Sequence, residues 1–338
     1  MAQISATRTG TCGTENENTA SSESMKLKLE TQSSEVLKNC FSLINTLRKR
    51  VILRFSPEQL LAISINDSSL NQEPQIWCKF PMRNIFSRIE IQSLRDNWIS
   101  LEINIELFLQ ALRNFDKASS TELKIRLQKK EGQKSSGSAY LALQYSDITE
   151  NSSTINHVFR IPVRILKEAA GLLKEPVLPR IDLMIKLPNE FFATYRRLER
   201  FKNSTAHEKM TISASQRNGG TLKFVLQEAD SCNTTIKWNG RLDIQVPPSD
   251  SEYDSLRAAA LQESPSKNHE DRSAIGVDVT VNLKEWCSTA KIVGTCQTVI
   301  LFICDNNACA IHCLLDETDD AEIIYYISGI RQAEPYSD

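Results

Sequence analysis

The chain has 338 residues, 41% hydrophobic and 24% charged, which is material for two ordinary domains and excludes collagen-like, fibrous and globally disordered classes. Its net charge of −2, with Arg and Lys gathered in helical stretches and Asp, Glu and Ser in loops, excludes a bulk basic binder of nucleic acid. Nine cysteines without a signal peptide fit buried thiols in a reducing compartment, and the longest apolar runs fall short of the ~20 residues of a membrane-spanning helix, so no membrane partner is expected.

Residues 1–24 are mostly Ser, Thr, Asn and Glu. They cannot bury enough apolar surface to offset an ordering entropy of ~1–2 kcal/mol per residue, which predicts a disordered leader. Met25 to Glu30 alternates as a half-buried strand does. From Ser34 to Arg48, the residues Val36, Leu37, Cys40, Phe41, Ile44 and Leu47 share one helical face. Strands are then predicted at Val51–Phe55, Gln59–Ile65, Gln75–Phe80 and Ile85–Ile91, with turn chemistry at Ser56-Pro57 and Asn66 to Ser69. A strand at Trp98–Ile103 leads into a helix over Ile105–Phe115, whose face is set by Leu107, Phe108, Ala111, Leu112 and Phe115. Strands at Thr121–Gln128 and Ala139–Tyr145 flank a polar loop from Lys129 to Ser138, and His157–Ile165 is a further strand.

Gly171, Pro176 and Pro179 mark the segment 166–179 as a connector between a domain at 25–165 and a second at 180–330, with a tail at 331–338. The second half repeats the order of the first. A strand at Arg180–Lys186 precedes a helix at Asn189–Phe201, then strands at Lys209–Ser215, Thr221–Glu228 and Thr234–Trp238 and one more. Pro247 to Asp271, rich in Ser, Pro and charge, reads as a mobile insertion. Beyond it come a strand at Val277–Val281, a helix at Leu283–Ile292 and strands at Gln297–Ile303, Ala308–Leu314 and Glu322–Ile327. The fold class is therefore α+β, with paired helices covering one face of antiparallel sheet.

The polar faces of the helices carry the positions that could act. The apolar set Phe191, Phe192, Tyr195, Leu198 and Phe201 leaves Arg196, Arg197 and Arg200 facing away from the core, with Lys202 just after. Equivalent cations are Lys38, Arg48 and Lys49 around the first helix, Arg113 and Lys117 on the second and Lys291 on the last. Such side chains hold phosphates without reading bases, so they predict weak, salt-dependent binding of duplex DNA without sequence preference. Taken singly, each helix also reads as a solvated face.

The four histidines His157, His207, His269 and His312 accompany no nucleophile, phosphate-loop or metalloprotease motif, so no enzyme and no cofactor are expected. Cys304, Cys309, His312 and Cys313 are dense enough for zinc, but His312 and Cys313 are neighbours in a strand and point to opposite faces, which favours core packing over a metal site. Asp316 to Asp320 lacks the ligand spacing of a calcium loop.

Several segments together resemble the Hus/Mec-type subunit of fungal DNA-damage checkpoint clamps. They are Met25 to Leu29, Leu47 to Phe55, Gln75 to Cys78, His157 to Ile165, Arg196 to Arg200, Ile236 to Gly240 and Ile323 to Ile327, in order along almost the whole chain from Met25 to about Ile330. The resemblance implies a PCNA-like fold of two similar domains, helices lining the hole of a ring, and three different subunits closing around DNA. It further implies a nuclear protein, loaded by a clamp loader at damage sites, that performs no reaction and serves the checkpoint kinase and repair factors as a platform. A self-trimerising clamp and a scaffold that never encircles DNA are the competing readings.

Overall fold

The computed structural model describes residues 25–64, 75–94, 96–129, 138–148, 153–166, 174–178, 180–203, 208–227, 233–245, 276–315 and 321–330. The leader, the loop at 130–137, half of the connector, the insertion, the Asp316–Asp320 run and the tail lie outside them.

The first half runs β1 (Lys26–Thr31), α1 (Glu35–Asn45), β2 (Arg50–Phe55), β3 (Gln59–Ser64), β4 (Gln75–Pro81), α2 (Met82–Ile85), β5 (Arg88–Gln92), β6 (Ile99–Asn104), α3 (Ile105–Lys117), β7 (Leu123–Lys129), β8 (Ser138–Ile148) and β9 (Thr154–Ile165). The second runs β10 (Leu183–Leu187), a 3₁₀ turn (Asn189–Phe191), α4 (Phe192–Glu199), β11 (Lys209–Ser215), β12 (Thr221–Gln227), β13 (Asn233–Lys237), β14 (Asp243–Gln245), β15 (Gly276–Asn282), α5 (Leu283–Ser288), α6 (Ala290–Val293), β16 (Thr298–Cys304), β17 (Ala308–Leu314) and β18 (Glu322–Ser328). Apart from α2 and small 3₁₀ turns, the order of elements repeats.

Alternation places Leu27 and Leu29 of β1 inside and its Lys and Glu residues outside, as a half-buried strand requires. In α3 the Asn104 side chain accepts from the Glu106 N–H at 3.0 Å, satisfying one of the free amides of the first turn. The buried stripe of α3 is Ile105, Phe108, Leu109, Ala111, Leu112 and Phe115. Leu107, placed on that face by the sequence pattern, is 41% exposed instead, because the stripe centres on Phe108 and Leu112 and Leu107 lies beyond its edge.

Two further expectations are corrected. Ile85 belongs to a single helical turn and not to a strand: the Phe86 N–H donates to the Met82 carbonyl at 2.9 Å, turning Met82 and Ile85 inward, and the strand begins at Arg88. The helix expected at Leu283–Ile292 breaks at Thr289 into α5 and α6. The Thr289 hydroxyl lies 2.8 Å from the Trp286 carbonyl and 3.0 Å from the Tyr195 hydroxyl, so a buried β-branched residue bonds locally at the break. Because α5 is short, its cap matters: Asn282 accepts from the N–H groups of Lys284 (2.9 Å) and Glu285 (3.3 Å). Asn282→Ala is expected to cost about 1 kcal/mol, read from the urea midpoint at unchanged slope.

Among the described residues the strands form two antiparallel sheets. One has the order β14-β10-β16-β17-β18-β4-β3-β2-β6-β9-β8-β7-β1-β5, and the other β13-β12-β11-β15. The halves join where β18 pairs with β4, from Glu322 opposite Lys79 to Tyr326 opposite Gln75. The main apolar core lies between these sheets and the helices; it includes Phe41, Phe108, Tyr195 and Trp286. A smaller apolar patch containing Trp77, Met184, Phe302, Ile324 and Tyr326 includes no helical residue, so it lies on the face away from the helices. Leu166, Leu178 and Ile181 of the connector and its flanks pack on it. Glu175 fastens this cover, 2.8 Å from the Lys79 ammonium and accepting from the Tyr326 hydroxyl at 2.7 Å.

Candidate nucleic-acid interface

The helices pack in pairs on one side of the sheets, α1 against α3 and α4 against α5 and α6. Packing turns one stripe of each helix inward and fixes which charges remain outside.

On α4 the buried residues are Thr194, Tyr195 and Leu198, and Arg196, Arg197 and Arg200 are exposed. Arg196 lies over the Phe192 ring, 5.3 Å from its centroid, which holds the guanidinium against the helix start. Lys202 is half-buried after α4, close enough to oppose the effect of burial on the Cys287 thiol of α5. Lys284 and Lys291 are exposed on α5 and α6. This half presents the denser cationic surface.

The first half is partly self-neutralised. Lys38 of α1 pairs with Asp116 of α3, which also accepts from the Ser34 hydroxyl. Lys49 lies 3.7 Å from Glu106, both well exposed, a pair worth little in water. Arg48 is half-buried in the turn after α1, donates to the Leu47 carbonyl at 3.2 Å, and lies near Tyr325 of β18. Burial pushes the Tyr325 phenol up to about 12, and the Ser288 hydroxyl and the Arg48 charge act against that rise. Arg113 and Lys117 are exposed on α3 and make no ion pair among the described residues. The ten cations singled out in the sequence thus lie on or beside the helices, but they are not equivalent. The carboxylates Asp116 and Glu106, which the sequence reading passed over, weaken the claim of Lys38 and Lys49. Their partners are remote along the chain and leave no local signal.

The cysteine-rich strand pair packs as expected. Cys309 and Cys313 belong to the main core, whereas His312 turns to the opposite face, near the Phe302 ring and 2.7 Å from the Glu322 carboxylate. Seven cysteines among the described residues are buried and free of disulfides. Burial pushes the Cys304 thiol up to about 12 and the Cys287 thiol to about 11, so neither supplies a thiolate near neutral pH.

Among the described residues β5, β13, β14 and β15 are sheet edges, part of β9 is also paired on one side only, and two of these open stretches, in β13 and β9, occupy related places in the repeated order of elements. β13 pairs with β12 alone, from Asn233 opposite Gln227 to Lys237 opposite Lys223. β9 pairs with β8 throughout but with β6 only over Val163, Arg164 and Ile165, which leaves Thr154 to Pro162 paired on one side. Ile155 and Val158 there are 47% and 44% exposed, beside Ile148 of β8 at 61%.

Comparisons with known proteins agree with this geometry. The DNA damage checkpoint control protein MEC3 of Eremothecium gossypii is 24% identical over 388 residues, covering 90% of this chain and 99% of that protein. The checkpoint protein hus1 of Schizosaccharomyces pombe is 27% identical over 280 residues, 82% of this chain and 89% of that one. Among solved structures, the proliferating cellular nuclear antigen of Entamoeba histolytica superposes with a TM-score of 0.58 at 13% identity, covering 91% of this chain and all of that one, which shows the PCNA-like fold. A family model described as Hus1-like protein matches residues 25–331. Fold, repeat and sequence therefore converge, and the chain belongs to the Hus1-like protein family of checkpoint clamp subunits.

Proposed function

We propose that the chain is a non-catalytic member of a three-part ring that closes around duplex DNA, together with two different PCNA-like checkpoint clamp subunits. Its two domains, 25–165 and 180–330 joined by 166–179, each contribute helices to the inner wall. A clamp loader places the ring at DNA damage in the nucleus, and the closed ring serves the checkpoint kinase and repair factors.

The observation that carries this reading is a strand pairing made once inside the chain and left open at two other places. In the repeated order of elements, β13 stands in the second half where β4 stands in the first, and β9 stands where β18 does. β4 and β18 pair with each other and join the halves. Their counterparts β13 and β9 have no such partner among the described residues. A neighbouring subunit that offers the complementary strand to each continues the sheet across the joint and covers Ile155 and Val158. The exposed cations of α4, α5 and α6 suit phosphates approached without base recognition.

The test is co-purification with two candidate partner subunits, then retention of the assembly on circular and linearised duplex in the presence of loader and ATP. A one-to-one-to-one assembly held on circles and lost from free ends is expected. Ile155→Asp with Val158→Asp, at positions exposed in the lone chain, should change its stability by no more than about 0.5 kcal/mol yet prevent assembly. Self-trimerisation, or an assembly not retained on circles, would overturn the reading in favour of a homotypic clamp or a scaffold.

A further inference from the structure

The face of the first-half sheet away from the helices carries a second cationic surface. In β1, β7, β8 and β9 the residues Leu27, Leu29, Leu123, Ile125, Leu141, Leu143, Ile161 and Val163 turn into the main core, so the alternate positions face outward. Cross-strand register then lines up Lys28 opposite Arg126, Arg126 opposite Ala142, and Ala142 opposite Arg160. With strands about 4.8 Å apart, this row crosses the face in roughly 14 Å. Ala142 is fully buried yet belongs to neither apolar core, and its register neighbours on both sides are arginines.

The carboxylates on this face are already engaged. Glu90 lies 2.8 Å from Lys26 and 3.9 Å from Lys28 of the row itself, and also holds Arg88 at 2.5 Å, which leaves the two arginines as the unpaired charges of the row among the described residues. Glu122 lies 2.9 Å from Lys124, and Glu102 sits between Arg50 and Arg164. Arg126 and Arg160 make no ion pair among the described residues, and Arg160 is exposed. Tyr140 stands opposite Pro162 and Gln128 along the same face, half-buried, offering an aromatic surface beside the arginines.

We infer that this outer face binds the phosphodiester backbone of a single nucleic-acid strand, at a site separate from the helix faces and centred on Arg126 and Arg160. Two arginines without counter-ions among the described residues complement a polyanion. A narrow cationic strip with one aromatic ring suits a flexible single strand, held by charge and by stacking without base readout. An acidic protein segment is the weaker occupant, because the row itself offers side chains of charge and no apolar pocket between them to anchor one.

The test uses the full-length chain alone, so that it reads independently of ring closure. A fluorescent mixed-sequence single-stranded DNA 20-mer is titrated at several salt concentrations and followed by anisotropy. Arg126→Glu with Arg160→Glu should weaken binding at least tenfold and reduce the slope of log affinity against log salt by roughly 1.4, the value for two phosphate contacts on a single strand. Arg126→Lys with Arg160→Lys should retain most of the binding. The loss should appear equally in a background where Arg196, Arg197 and Arg200 are already glutamate. Unchanged thermal melting of the variants checks the fold. Wild-type affinity in the glutamate pair, absence of binding by the wild type, or displacement of the DNA by polyglutamate as efficiently as by unlabelled DNA would each overturn the assignment.

Discussion

Replacing Trp286 with alanine is expected to cost about 3–5 kcal/mol of folding stability, the largest effect of any single side chain considered. Trp286 is fully buried in α5 and stacks on Tyr195 of α4 with centroids 5.3 Å apart and planes within 4°. Phe224 of β12 packs at 5.5 Å from it, and Phe191 reaches both Tyr195 and Phe224. Removing the indole therefore opens a cavity where the helix pair meets the smaller sheet. The indole N–H has no hydrogen-bond partner among the described residues, so Trp286→Phe removes a buried unsatisfied donor along with some volume and should cost less than half as much. Urea denaturation of the two variants checks the order; equal losses would show that volume is not the deciding quantity.

Reversing Arg196, Arg197 and Arg200 to glutamate is expected to produce the largest functional loss. If all three reach phosphates of a duplex in the ring, the slope of log affinity against log salt falls by about 2.7, and repulsion replaces attraction at each position. Retention on circular duplex at physiological salt should drop by at least tenfold, with assembly of the ring intact. All three are exposed, and the contact of Arg196 over Phe192 is worth about 0.5–1 kcal/mol, so the fold should tolerate the change. Reversal of Lys38 should matter much less, because Asp116 already neutralises it. The measurement is the fraction of rings retained on closed circles across a salt series; retention equal to wild type would remove the helix faces from the interface.

Local features of the fold were legible in the sequence because they are periodic. The Leu27 and Leu29 alternation, the α4 face of Tyr195 and Leu198, and the opposed directions of His312 and Cys313 follow from repeats of two and 3.6 residues. The break at Thr289 was hidden because it depends on a hydroxyl meeting Tyr195, 94 residues away. The position of Leu107 was hidden because it lies just beyond the edge of the stripe that Phe108 and Leu112 centre. The cations of the helix faces were legible as exposed charges, but their worth was not. The pairing of Lys38 with Asp116 spans 78 residues, and the row from Lys28 through Arg126 to Arg160 exists only through strand register. Non-local pairing also determines which edges stay open, so β9 and β13 became visible as a related pair only once β4 was seen beside β18.

That joint has a consequence during synthesis. β4 ends at Pro81 and its partner strand begins only at Glu322, so at about 5–20 residues per second a ribosome takes roughly 10–50 s to make the chain between them. Throughout that interval the nascent protein carries an unpaired strand edge, with Trp77 on a face whose second-half neighbours do not yet exist. Such an edge is a template for mispairing, and the hazard ends only when translation supplies β18.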